Sequence, residues 1–169
     1  LSNDKFSLAS IPTAQLGGKG QSSNYSQVIQ EGSPIGSFNT YKYAGKDDKG
    51  ISQFYLADGT PSTEYSKAAI SLTGNAQPDF IYGWGNSFNY KNLDLNFFIR
   101  GVSGNQILNA TMAGLNSPGD ATTNNIPQFS LTEAAGDNNS YIISDRYIVD
   151  GSYLPLDNAR LGYSFVLKG

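Results

Sequence analysis

The run Phe80–Tyr90, FIYGWGNSFNY, decides the fold class. Its even positions hold Phe80, Tyr82, Trp84, Asn86, Phe88 and Tyr90, and its odd positions hold Ile81, Gly83, Gly85, Ser87 and Asn89. One face is large and aromatic, and the other is mostly small or polar, which is the two-residue period of a β-strand. Lys91-Asn92 follows, and then LDLNFFIRG over 93–101. There Leu93, Leu95, Phe97 and Ile99 share one face, and Asp94, Asn96, Phe98 and Arg100 share the other. Two alternating runs joined by two residues predict an antiparallel hairpin. Asn92 suits a positive φ and Lys91 suits a primed turn less well, so the turn type stays open.

Working outward, ARLGYSFVL at 159–167 alternates in the same way, with Ala159, Leu161, Tyr163, Phe165 and Leu167 on one face. SFNTYKYAG at 37–45 reads as a strand, with Tyr41 and Tyr43 together, and ISQFYLADG as a short strand closing on Asp58-Gly59. SSNYSQVIQ offers another short strand. Residues 60–78 read as loop with a helical turn around Glu64–Ile70. Residues 102–145 are long and mostly irregular, with a short helix expected around Gln106–Met112, and 146–153 lead into the last strand. Gly17, Gly18 and Gly20, set among Ser, Asn and Gln, read as a solvated loop. A phosphate-binding loop would need a following Lys-Ser/Thr and a helix.

Composition excludes several classes. The chain has 169 residues, a net charge of −3, 15% charged residues, 12% aromatic residues and 19 Gly. With no basic surplus, nucleic acid is not an expected partner. The absence of Cys and His removes disulfides, Cys/His zinc sites and His-based triads. No stretch approaches the roughly 20 apolar residues of a membrane helix. A membrane β-barrel stays open, because its strands need only about ten residues each.

The strands combine an apolar aromatic face, a Gly/Ser/Asn face, one very short turn and one very long loop. All of these suit an outer-membrane barrel. A soluble antiparallel sandwich also buries one face, so alternation alone leaves both open.

Three runs go further. EGSPIGSFNTYKYAG, QPDFIYGWGNSFNYKNLDLNFFIRGVSGNQILN and SDRYIVDGSYLPLDNARLGYSF resemble, in order and spacing, the C-terminal barrel region of SusC-type TonB-dependent outer-membrane transporters of Bacteroidetes. The motifs are Pro78 before a strand containing Gly83, the Tyr90–Leu95 hairpin, Gly104-Asn105 with Ile107 and Asn109, Asp150-Gly151-Ser152-Tyr153-Leu154, and Leu161-Gly162-Tyr163. The resemblance implies an all-β fold: antiparallel strands forming part of a large transmembrane β-barrel, with short periplasmic turns and long extracellular loops. Residues 1–169 would be a fragment of the barrel domain of a longer polypeptide, without the plug domain or TonB box, and 102–145 would be a long extracellular loop. The implied function is active import of a large nutrient, an oligosaccharide or a peptide, across the bacterial outer membrane. The implied partners are a SusD-like surface lipoprotein, a TonB complex acting through other parts of the protein, and outer-membrane lipid. The alternative is a soluble β-sandwich carbohydrate-binding module.

No catalytic residue, metal ligand or cofactor is expected. Asp47-Asp48, Asp58, Asp145 and Asp150 lie in turn contexts, where Asp bonds the backbone. Between Asp47 and Glu64 a calcium loop would need alternating oxygen ligands, and Leu56 and Pro61 break that pattern. Substrate contacts are sought among the polar-face residues Asn89, Asn96, Arg100 and Arg160, and among Asn105, Gln106 and Asn109 of the long loop, whose amides suit sugar hydroxyls or peptide amides. For Arg100 and Arg160, an ion pair with Asp94 or a neighbouring carboxylate is the expected structural role. Tyr and Trp on the apolar face are expected to meet lipid or packing partners rather than sugar.

Overall fold

The computed structural model describes residues 14–16 and 26–165. The Gly17–Gly20 stretch lies outside them. In chain order the elements are β1 (Ala14–Leu16), β2 (Gln27–Ile29), β3 (Ser37–Tyr41), β4 (Tyr43–Lys46), β5 (Ser52–Tyr55), β6 (Pro61–Ser62) and β7 (Ile70–Asn75). Next come β8 (Phe80–Tyr90), β9 (Leu93–Ser103), β10 (Gln106–Leu108), α1 (Ala110–Leu115), α2 (Gln128–Thr132), β11 (Ile148–Asp150) and β12 (Leu156–Tyr163). The fold is all-β and antiparallel in the pairs β1–β2, β2–β3, β3–β7, β4–β5, β5–β6, β8–β9 and β9–β12. Among the described residues no helix is long and apolar enough to cross a membrane, which says nothing of a β-barrel.

The chain divides into two compact units. The first contains residues 78–105 and 150–165 and is built on the sheet β12-β9-β8. The register sets Trp84 opposite Ile99, Phe88 opposite Leu95, and Tyr90 opposite Leu93. On the other side of β9, Leu161 faces Leu95 and Ala159 faces Phe97. The expected apolar face therefore runs across all three strands. Nothing among the described residues of this unit covers it: Trp84 is 59% exposed, Tyr90 70% and Leu161 70%. The opposite face carries Ser87, Asn89, Asp94, Asn96 and Arg160, together with one ring, Phe98. That ring lies over Gly83 and Gly85, where a Cβ would crowd it at 3.1 and 3.3 Å.

The hairpin turn differs from expectation in one respect. Lys91, the poorer candidate, takes the positive φ of 52°. Its ammonium sits over the Tyr90 ring, 5.3 Å from the centroid. The Asn92 carbonyl accepts a bond from Ser164 N at 2.8 Å, tying the turn to the chain beyond β12.

The second unit holds the described parts of 6–77 and 106–149. Its sheets are β1-β2-β3-β7, β4-β5-β6 and β10-β11. One apolar cluster gathers Tyr41, Phe54 and Ile142; a second gathers Ala113, Ile143 and Tyr147. Three expectations are corrected here. The run 37–45 is two strands rather than one. It breaks at Lys42 because β3 pairs with β7 while β4 pairs with β5, and Asp145 Oδ1 accepts Tyr43 N at 2.8 Å at the break. Residues 70–75 are strand rather than loop, since β3 supplies a partner distant in sequence, with Tyr41 opposite Ile70 and Ser37 opposite Asn75. The helix expected at Gln106–Met112 begins at Ala110. Asn109 Oδ1 caps it by accepting Met112 N at 2.9 Å, and Gln106–Leu108 extends as β10.

Candidate functional site

The polar face of β12-β9-β8 presents four of the anticipated residues. Asn89 lies opposite Asp94, and Asn96 lies between Ser87 and Arg160. Asn96 Nδ2 donates to Asp94 Oδ2 at 3.4 Å. Arg100 pairs through Nε with Asp157 Oδ1 at 2.8 Å. A register shift between Leu156 and Asn158 accompanies this pair. The carboxylate that neutralises Arg100 thus comes from the register shift in β12, which its alternation did not reveal.

Two of the three loop candidates have structural employment for their side chains, while Asn105 Oδ1 is buried without a hydrogen-bond partner among the described residues. Gln106 Oε1 accepts Asn75 N at 2.9 Å, and Asn109 is the α1 cap. The Asn105 carbonyl accepts Gly151 N at 2.9 Å, while Ser152 Oγ accepts Gly104 N at 3.0 Å. Asp150 Oδ1 in turn accepts Ser152 N at 2.8 Å and Ser152 Oγ at 2.6 Å. The Ser152 hydroxyl holds the Asp150 carboxyl below its ordinary range. Two motifs separated by more than forty residues, Gly104-Asn105 and Asp150-Gly151-Ser152, are therefore one interlocked turn. Asp47 and Asp58 act similarly. Asp47 Oδ1 accepts Lys49 N and Ile51 N, and Asp58 Oδ1 accepts Thr60 N and Oγ1, the Thr60 hydroxyl lowering the Asp58 pKa.

Within the second unit, a cleft of about 910 Å³ opens between residues 114–126 and 138–141. Its polar lining includes Asp120, Asn124, Asn125 and Asn138; Leu115 and Tyr141 supply apolar surface. The walls are fixed from behind. Asp137, 1% exposed, accepts Ser52 N at 3.0 Å, Ser52 Oγ at 2.6 Å and Asn139 N at 3.0 Å. Asn139 Nδ2 donates to Ser52 O at 3.1 Å and Thr63 O at 2.7 Å. With Asp137, Ser140 and Ile142 buried, Asn138 and Tyr141 are turned outward. On the opposite wall, Asn116 is buried and donates through Nδ2 to Tyr147 Oη at 2.8 Å. Ser140 Oγ donates to Asn116 O at 2.5 Å, which joins the two walls directly. Tyr147 Oη donates to the Ser140 carbonyl, and burial pushes the Tyr147 pKa above its ordinary value. Ser130 Oγ donates to Leu115 O at 2.9 Å, and Asn124 N to Asp120 O at 2.8 Å.

The cleft residues Asn124, Asn125 and Asn138 were not among the sequence candidates. The Asn-Asn doublets at 124–125 and 138–139 were the available signal. Only the fold shows that Asn139 bonds inward while Asn138 faces the cleft.

Comparison with known proteins gives the family. TonB-dependent receptor P3 of Formosa agariphila is 32% identical over 160 residues, covering 82% of this chain. The chain belongs to the TonB-dependent receptors. TonB-dependent receptor P26 of the same organism is 31% identical over 118 residues, covering 63% of the chain. The matched regions amount to 16% and 12% of these relatives, so the chain corresponds to a small part of a receptor's length. No family model matches the chain. Membership places the receptor segment in the outer membrane.

Proposed function

We propose that this receptor segment supplies barrel wall and external surface to a SusC-type transporter. The transporter imports a large nutrient, an oligosaccharide or a peptide, with energy from a TonB complex and a SusD-like lipoprotein as its surface partner. The carrying observation is the β8–β9 ladder. It joins two strands of 11 residues through a two-residue turn, with one face apolar from Phe80 to Tyr90 except at Asn86. Eleven residues at about 3.4 Å each, tilted by about 40°, rise about 28 Å, close to the apolar band of a membrane barrel. On this reading Tyr90 and Tyr163 lie at the periplasmic rim, Asn89, Asn96, Arg100 and Arg160 face the lumen, and residues 102–145 lie outside the cell. The segment's part in transport is passive: the wall holds the pore, the external surface meets ligand or lid, and no catalytic step is involved.

The test is uptake by cells carrying the full-length receptor. Radiolabelled oligosaccharide and peptide pools are supplied to cells with and without a functional TonB complex. Accumulation that requires both the receptor and TonB supports the reading; receptor-dependent accumulation indifferent to TonB overturns it. Cysteine scanning adds topology, since the chain has no Cys of its own. Asn138→Cys should react with an impermeant maleimide on whole cells, and Trp84→Cys should not.

A further inference from the structure

We infer that the cleft between residues 114–126 and 138–141 binds an uncharged polyhydroxylated ligand and turns away anionic ones, with Asp120 as the excluding charge. The inference rests on the transport reading and deepens it by assigning a ligand class to one place. Asp120 is the one charged residue among the described lining residues, and no Lys or Arg joins it. A carboxylate or sulfate entering the cleft would lose water and meet a like charge, without a cation to offset the loss. A hydroxyl group faces no such cost. It donates and accepts at once, and each Asn amide offers both an acceptor oxygen and two donor hydrogens. Among the described residues, the side chains of Asn124, Asn125 and Asn138 make no hydrogen bond, and all three residues line the cleft. Asp120 can accept from two neighbouring hydroxyls. Tyr141, 36% exposed, offers an aromatic surface for the C–H face of a sugar ring.

The site is built in advance of binding. The Ser140–Asn116 bond and the Asp137 carboxylate fix both walls from positions that no ligand reaches. Binding then requires little ordering of the backbone behind the cleft, which favours affinity. A peptide is the poorer match: its terminal carboxylate finds no cation, and the lining offers two amide-rich walls rather than an unpaired strand edge.

The experiment uses the full-length receptor, purified in detergent and applied to an array of neutral, sulfated and uronate-bearing oligosaccharides and of peptides. Retention on neutral oligosaccharides is expected. Asn124→Ala and Asn138→Ala should each weaken it about five- to ten-fold, as for loss of one or two hydrogen bonds. Asp120→Asn should raise binding of the uronate-bearing set by at least about ten-fold. Hydrogen exchange across 133–145, unchanged from wild type, certifies that each variant keeps its walls. Retention confined to anionic glycans or to peptides, no retention of any neutral oligosaccharide, or folded variants that bind as wild type would each overturn the proposal. TonB-driven uptake measured alongside separates the two readings. Uptake that needs TonB but ignores the cleft variants discards the cleft and keeps transport. Cleft-dependent retention without TonB-dependent uptake discards transport and keeps the cleft.

Discussion

Ser52 Oγ donates to the buried Asp137 carboxylate at 2.6 Å, across a sequence separation of 85 residues. This bond joins the start of β5 to the wall that presents Asn138 and Tyr141. Lys46 lies 3.7 Å from the same carboxylate and also donates to the Glu133 carbonyl. Asp137 thus works as a fastener: every partner it has is an N–H, O–H or ammonium group from another part of the second unit or from its own turn.

Asp137→Ala should loosen that wall. It leaves Ser52 N, Ser52 Oγ and Asn139 N without their acceptor in a buried place, which costs about 1–3 kcal/mol. Hydrogen exchange at 50–56 and 133–145 should quicken by one to two orders of magnitude, while β8 and β9 exchange as before. Equal protection in wild type and variant would show the carboxylate to be dispensable.

Tyr82 and Gly101 face each other across β8 and β9, and a Cβ at Gly101 would overlap the Tyr82 ring. Gly101→Val should therefore lower the yield of folded receptor, an overpacking cost of about 1–3 kcal/mol. Adding Tyr82→Ala should restore it in part. Heat-modifiability on semi-native gels reads the folded fraction. A double variant no better than Gly101→Val alone would place the defect in the strand backbone instead.

The Arg100–Asp157 pair is half exposed, at 57% and 36% for the two side chains. Pairs of that kind contribute about 0–1 kcal/mol. A double-mutant cycle with Arg100→Gln and Asp157→Asn should return a coupling within that range, smaller at high salt. A coupling several-fold larger would mean that the pair is shielded from water in the assembled barrel.

Lys91 holds a positive φ that an L-residue with a Cβ adopts at a cost of roughly 1–2 kcal/mol. Lys91→Gly removes that strain and should slow unfolding of the hairpin, measured as exchange at Asn89–Leu93 amides. It also removes the ammonium above Tyr90, worth about 0.5–1 kcal/mol at an exposed site. Faster exchange would show that the cation–ring contact outweighs the backbone strain.

Tyr147 provides a pH dependence of known sign. Its folded pKa is raised above the usual 10.0, chiefly by burial, so its contribution to stability is fully present below pH 10 and falls as pH rises through the folded value. Absorbance of tyrosinate should show one late-titrating tyrosine that is lost in Tyr147→Phe. Proteolytic nicking near Asn139–Tyr147 should rise in wild type at the same alkaline pH. A Tyr147 that titrates with the exposed tyrosines would contradict its burial.

The sequence by itself determined the β8–β9 hairpin. Its residues alternate with a period of two, and its turn closes over two residues, so face and register follow from local order alone. The same holds for the turn roles of Asp47, Asp58 and Asp150, whose partners lie within four residues. Tertiary structure decided the rest. The break at Lys42, strand β7, the pairing of β12 with β9 and the register shift that delivers Asp157 to Arg100, and the fastening of Asp137 by Ser52 all depend on partners distant along the chain. Loop 102–145 looked irregular because its order comes from side-chain bonds to distant backbone, such as Ser140 to Asn116 and Asn139 to Ser52, which leave no periodic trace. For that reason Asn109 and Gln106, legible as amides in a long loop, proved to be cap and brace, while Asn124 and Asn138 became cleft walls only once the fold had turned Asn139 and Ser140 inward.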